Sequence, residues 1–297
     1  MKNNDTDLKF TGERLMTEIY EYWSIEHLHR YAVALNLISK KKVLDIASGE
    51  GYGTFLMADL ADKIVGVDIS EAAVTHASKK YQKSNLSFLK GSATQIPLEN
   101  GSVDVVVSFE TIEHHNEHDK MIQEINRVLI PGGLLIISSP DKKYYSDLPK
   151  YNNPFHVKEL YADEFYQLVK KYFSNVLMLN QKTIFGSFIS SSGTINNPFI
   201  EFSGDYTNIN IQQALQHAPY NICIASNEAL NKLPVIEQSV FCNQNLFEMY
   251  TSLKDENQRL NNLNVLLGNK LKRPAQKLVN LIEFPFKVIK RMMLLGK

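Results

Sequence analysis

"VLDIASGEGYGTFLMA" (Val43–Ala58) joins a short apolar run to a glycine-rich bend and then to a helix-like segment. Val43, Leu44 and Ile46 read as a strand. Ser48-Gly49-Glu50-Gly51-Tyr52-Gly53 can bend tightly and lets a ligand approach the backbone. Thr54 to Ala58 opens a helical pattern. Strand, glycine bend and helix in that order can hold a nucleotide-like ligand over the helix N-terminus. A glycine bend alone is equally consistent with a plain turn, so the decision rests on what surrounds it.

Strand candidates recur on either side: Lys42–Ile46, Lys63–Asp68, Leu86–Lys90, Val103–Phe109 and Gly133–Ser138. Helical patterns at Glu71–Tyr81 and Asp119–Leu129 separate some of them. This alternation predicts a parallel sheet covered on both faces. Pro131-Gly132-Gly133 is expected to break a helix and start the fifth strand. Further along, Glu159–Lys171 reads as a helix, and Ser174–Leu179 and Tyr220–Ala225 as two more strands. The stretch 186–217 is rich in Ser, Asn and Gly and is expected to be a surface insertion or lid. Residues 1–240 thus form one domain, and 241–297 a helical extension.

The 297 residues are 44% hydrophobic and 22% charged, as in an ordinary globular protein. The polar N-terminus "MKNNDTDLKF" lacks the apolar core of a signal peptide, and no apolar run is long enough to span a membrane. Cys223 and Cys242 fit neither a disulfide framework nor a metal site, and they are expected to be thiols in a reducing cytoplasm. Net charge is zero but uneven: residues 268–297 hold eight Lys or Arg and one Glu, so the tail carries +7 and the body −7. An acidic body argues against nucleic acid as a partner.

The extension has two patterns. Leu246, Leu253, Leu260 and Leu267 recur every seven residues, with Met249 and Leu263 at companion positions interrupted by Glu256 and Lys270. This suits a short coiled coil, a route to a homodimer or to a partner enzyme, or a long helix packed on its own domain. From Lys277 to Lys297, apolar residues interleave with Lys287, Lys290 and Arg291, and Pro285 divides the segment. A basic amphipathic segment of this kind can lie on an anionic membrane surface, or it can dock on protein.

"GVDIS" (Gly66–Ser70) ends the second strand on an acid. Asp68 follows Asp45 by 23 residues, about the spacing at which a carboxylate accepts hydrogen bonds from a ribose. The other use of such an Asp is to cap the next helix, a task for which Ser70 is available. An Asp here would serve NAD as well as another adenosine ligand.

Together, "VLDIASGEG", "GVDIS", "FLKGSATQIPLENGSVDVVVSFETIEH" and "EINRVLIPGGLLIISSP" resemble the class I S-adenosylmethionine-dependent methyltransferases, over roughly Phe10 to Ala225. Dinucleotide dehydrogenases lack the last two blocks. The resemblance implies a Rossmann-like α/β fold: a seven-stranded, mostly parallel sheet with an antiparallel edge. It implies S-adenosylmethionine as cofactor. Asp45, Ala47, Ser48, Gly49 and Gly51 would approach the methionine part, Asp68 would hold the ribose, and Ile69 would face the adenine. Gly91, Ser92 and Ala93 would border the adenine edge, with Phe109 and Glu110 beside the sulfonium. Two positions depart from the family pattern: Ala47 stands for a glycine, and Ser92 for an Asp.

"FTGERL" (Phe10–Leu15), "HLHRYAVA" (His27–Ala34) and "NPFHVKEL" (Asn153–Leu160) are similar to methyltransferases of bacterial polysaccharide and glycosyltransferase pathways. They imply a sugar hydroxyl, free or in a glycan, as acceptor. A hydroxyl is a poor nucleophile, and histidine, with an unperturbed pKa of about 6.5, suits a general base. His156, in the Pro-flanked loop, and His114, after the fourth strand, are the catalytic candidates; His115 is a third. Each can equally be a packing or exposed histidine. Glu113 beside them raises the question of a metal. Consecutive histidines do not share a helical face, so no metal is expected. Arg14 or Arg30 could pair with the cofactor carboxylate. Two other functions remain open: methylation of a lipid or quinone-like acceptor, and a non-catalytic cofactor-binding partner of glycosyltransferases.

Overall fold

The computed structural model describes residues 8, 14–17, 22–183, 187–191, 200–204, 209–213, 215, 217–230, 238–241, 256 and 259–260. Three strands keep the bounds that the apolar pattern predicts: β1 at Lys42–Ile46, β2 at Lys63–Asp68 and β3 at Leu86–Lys90. β4 spans Val103–Ser108 and β5 Leu129–Pro140. β1 lies between β2 and β4 and runs parallel to both, with Leu44 opposite Val65 on one side and Val106 on the other. A central parallel strand is covered on both faces, which is why Val43, Leu44 and Ile46 are all buried.

The remaining strands are β6 (Asn175–Thr183), β7 (Ser187–Ser191), β8 (Ile200–Gly204), β9 (Ile209–Gln213), β10 (Tyr220–Ser226) and β11 (Gln238–Phe241). The main sheet has the order β3-β2-β1-β4-β5-β10-β6-β7-β11, and β8 with β9 forms a separate hairpin. β10 runs antiparallel to both β5 and β6. The fold is thus Rossmann-like with an antiparallel edge, as expected, but among the described residues its main sheet has nine strands and not seven. The extra pair comes from β7, inside the stretch expected to be a surface insertion or lid, and from β11. β7 continues the antiparallel edge and buries Ser187, Ile189 and Ser190, so this part of 186–217 belongs to the sheet. β11 carries the sheet through Phe241, next to the expected domain boundary.

The helices are α1 (Tyr22–Leu35), α2 (Tyr52–Met57), α3 (Glu71–Lys80), α4 (His118–Val128) and α5 (Ala162–Lys170). α4 buries His118, Met121, Ile122, Ile125 and Val128, the three-to-four spacing of a helix with one apolar face. Two apolar clusters form the core: α4 and α5 contribute to one, and α1 and α2 to the other.

Several boundaries shift, with β6 running on to Thr183 and α5 starting at Ala162, and the shift at β5 changes the reading of a motif. β5 begins at Leu129, directly after α4, and not at Gly133. Val103 pairs with Leu129 and Val105 with Leu134, so Pro131-Gly132-Gly133 is an irregularity within the strand. Gly132 takes a positive φ of 77°, and Pro131, which has no N–H to donate, is tolerated in such a bulge.

Of the seven-residue leucine pattern, only Glu256 and Leu260 are described, both helical. The basic segment from Lys277 onward and Cys242 lie outside the described residues. Among the described residues, no helix is long and apolar enough to cross a membrane.

Candidate active site

The bend after β1 closes through its own backbone. Ser48 N–H donates to the Val67 carbonyl at 3.0 Å, and Gly51 N–H to the Ser48 carbonyl at 3.0 Å. Ala47, Gly49 and Gly51 all have positive φ, at 60°, 59° and 98°. Ala47 adopts the left-handed conformation of the glycine it replaces, at about 1–2 kcal/mol. Gly51 is obligatory for a second reason: a Cβ there would lie 2.7 Å from the Ala77 Cβ.

Asp68, at the end of β2, faces this bend. Gly49 N–H donates to its Oδ2 at 2.8 Å and Ser70 N–H to its Oδ1 at 2.9 Å. Helix α3 is capped instead by Ser70, whose Oγ accepts from Ala73 N–H. Each Asp68 oxygen has a second lone pair, so the carboxylate can still accept two hydroxyl hydrogens. Ile69 beside it is 72% exposed, an apolar side chain held open at the position expected to face an adenine. These residues fit a nucleoside ligand.

Other expected contacts are already engaged. Asp45 is buried, and its Oδ2 accepts from the Thr54 hydroxyl at 2.6 Å. Burial pushes its pKa up to about 7, opposed by the Thr54 hydrogen bond. Gly91 N–H donates to the Asp68 carbonyl, and the Ser92 hydroxyl bonds within its own turn to Thr94. Ala93 packs on the core. Phe109 is buried edge-to-face on Tyr31 with ring centroids 5.1 Å apart, directed into the core.

The two arginines pair with protein carboxylates. Arg14 NH2 lies 3.8 Å from Asp68 Oδ1. Arg30 is fully buried: its Nε donates to Gln181 Oε1 at 2.7 Å, its guanidinium stacks on Tyr220, and its NH1 lies 3.3 Å from Glu110 Oε1. Glu110 follows β4 with a positive φ of 51° and also accepts from the Ser138 hydroxyl at 2.7 Å. A buried cation needs a counter-charge, and Arg30 finds it in Glu110. Sequence reasoning also missed Glu50, the acid inside the bend. It is buried and takes bonds from Lys80, Tyr81 and Thr17, fastening the bend to α3 and to the N-terminal segment.

The candidate bases come together three residues beyond Glu110. Val157 and Lys158 N–H groups both donate to the Glu113 carbonyl, which pins the loop carrying His156 against the end of β4. The His114 and His156 rings meet edge-to-face, with centroids 5.2 Å apart. His114 Nδ1 bonds the Phe155 carbonyl at 3.0 Å. His156 Nδ1 bonds Glu159 Oε1 at 2.5 Å, and its Nε2 faces the Asn153 amide at 3.0 Å. Burial would raise the Glu159 pKa, but hydrogen bonds from His156 and Ser146 lower it. Glu159 was not singled out from the sequence, although His-x-x-Glu spacing allows the contact. His115 turns away, its Nε2 toward Met121 Sδ. Glu113 is 1% exposed, and neither carboxylate oxygen has a hydrogen-bond partner among the described residues. Burial raises its pKa, the Glu110 carboxylate adds to the rise, and its own backbone amide opposes it.

Residues 44–137 match the family model described as "Methyltransferase domain". A protein of Mycolicibacterium smegmatis named as a probable S-adenosylmethionine-dependent methyltransferase is 37% identical over 168 residues, 55% of this chain and 64% of the relative. A demethylmenaquinone methyltransferase of Lactococcus lactis is 31% identical over 141 residues, 46% of this chain and 54% of the relative. The chain therefore spans less than two thirds of these relatives' lengths. A crystal structure from Bacillus halodurans, described as a candidate methyltransferase, superposes with a TM-score of 0.50 at 14% identity, covering 69% of this chain and 100% of that one, a likeness of fold. Residues 44–137 thus match a methyltransferase domain, and S-adenosylmethionine is the cofactor that the likeness to S-adenosylmethionine-dependent relatives supports.

Proposed function

We propose that the protein is an S-adenosylmethionine-dependent O-methyltransferase whose acceptor is a sugar hydroxyl in bacterial glycan or polysaccharide biosynthesis. The observation that carries the reading is the arrangement at the carboxyl edge of the sheet. Asp68, Ile69 and the glycine bend offer a nucleoside cradle, and the Glu110–His114 segment and the His156 loop lie beyond the end of β4 on that same edge. Open α/β sheets bind ligands at this edge.

When bound, the cofactor would supply an electrophilic methyl group, its sulfur being the leaving group that would retain the bonding electron pair. The chain's own residues bind and align. Asp68 accepts ribose hydroxyls, Ile69 packs on the base, and Arg30 holds Glu110 at the end of β4. His114 and His156 are the side chains available to an acceptor hydroxyl. In-line positioning of the two reactants supplies much of the rate.

A second reading places the acceptor on a quinone-like or lipid molecule; the likeness to the demethylmenaquinone methyltransferase of L. lactis supports it. Incubation with labelled cofactor and separate glycan and lipid extracts of the source cells distinguishes the two. Label in the glycan fraction is expected. Label confined to the lipid fraction would favour the second reading, and label in neither would leave the chain as a cofactor-binding partner of other enzymes.

A further inference from the structure

Glu113, His114 and His156 each bring one ligand atom, a carboxylate oxygen or a ring nitrogen, within 4.8 Å of the others. Adjacent histidines argued against a metal, and His115 indeed faces away; the third ligand comes from the loop instead. Three observations converge. The Glu113 carboxylate is buried with neither oxygen hydrogen-bonded among the described residues, an arrangement that disfavours the empty site. Each histidine directs Nδ1 at an acceptor, the Phe155 carbonyl for His114 and Glu159 for His156, which orients Nε2 as a ligand. The His114 side chain is 25% exposed, so one of the three residues is in contact with solvent.

We propose that these three residues bind a divalent first-row transition ion with an open position, to which the oxygen of the methyl acceptor coordinates. Two imidazoles and one carboxylate suit such an ion better than Mg²⁺ or Ca²⁺, which prefer all-oxygen sets. Three protein ligands with one free position are the pattern of a catalytic site, not of a closed structural one. Ligand atoms around such an ion stand about 3–4 Å apart, so the cluster closes slightly on binding. The Asn153 amide gives up its bond to His156 Nε2. His156 is then a ligand and no longer a proton acceptor. The acceptor oxygen releases its proton to solvent water, and its lone pair forms the bond to the methyl carbon. The acceptor's part in this proposal rests on the methyl-transfer reading; the binding of the ion does not.

The test uses Co²⁺ and the full chain. Wild-type protein should develop visible absorption with Co²⁺, displaced by Zn²⁺ and not by Mg²⁺, and its melting temperature should rise. Glu113→Gln and His156→Ala should lose the absorption, with Co²⁺ affinity down at least about 100-fold. Glu159→Gln, which alters only the support of a ligand, should weaken it by about 10–100-fold. Glu113→Gln removes a buried carboxylate that accepts no hydrogen bond among the described residues, so it should fold and melt no lower than the metal-free wild type. A control at His76, a histidine of α3 that faces Glu50 and not this cluster, should as His76→Ala bind as wild type does. Absence of Co²⁺ binding, or binding that Glu113→Gln and His156→Ala leave unchanged, would overturn the proposal. Calorimetry of S-adenosylmethionine on metal-free protein tests the methyl-transfer reading separately.

Discussion

Asp45 shows how a single buried acid links the site to stability. Burial raises its pKa from 3.8 to about 7 despite the Thr54 hydrogen bond. Between about pH 4 and 7 the folded chain therefore holds a proton that the unfolded chain has released, and this group's contribution to stability falls as pH rises. Asp45→Asn keeps an acceptor for Thr54 and removes the titration. Its melting temperature should exceed that of the wild type at pH 8, with the gap closing toward pH 4. Melts across that range check this, and a gap independent of pH would remove the cause. Asp68 could be read from its place at the end of an apolar run. The pairing of Arg30 with Glu110 could not: 80 positions separate them, and only the packing of α1 on the sheet brings them together.

Among the elements, the glycine bend is the most constrained. Gly51 combines a φ of 98° with α3 and β3 packed against the place a side chain would occupy, the Phe88 ring being 3.1 Å away. Gly51→Ala should cost about 2–4 kcal/mol, from left-handed strain and overpacking. It should lower the urea midpoint with the slope unchanged; a midpoint equal to that of the wild type would contradict the packing described. The parallel strands were legible because each is a short apolar run bounded by turn residues. β7 and β11 were not, because Ser187–Ser191 and Gln238–Phe241 are short, half-polar segments; β7 pairs with β6 and β11 with β7, so neither has a place until β6 is in the sheet. The convergence of the His156 loop on Glu113 was hidden for the same reason. Glu-His could be read after β4, but the backbone bonds from Val157 and Lys158 that bring the loop there have no local pattern.

For the chain as a whole, the uneven charge is a property no single site explains. A +7 tail on a −7 body suits an anionic surface, and the tail's apolar residues at roughly helical spacing suit a membrane interface. Flotation with anionic and neutral vesicles should show binding by the full chain to anionic lipid alone, weakening with salt and lost in a chain ending at Leu271. Full-length protein left in solution at low salt would instead make the tail a protein-docking segment. The central claim concerns the cofactor, and calorimetric titration with S-adenosylmethionine tests it most directly. Wild-type protein should bind it. Asp68→Ala, which removes acceptors worth roughly 1.5–3 kcal/mol per charged hydrogen bond, should bind at least about tenfold more weakly while still unfolding cooperatively. A wild-type protein that shows no binding, or an Asp68→Ala variant of unchanged affinity, would contradict the assignment of the glycine bend and Asp68 as the cofactor site.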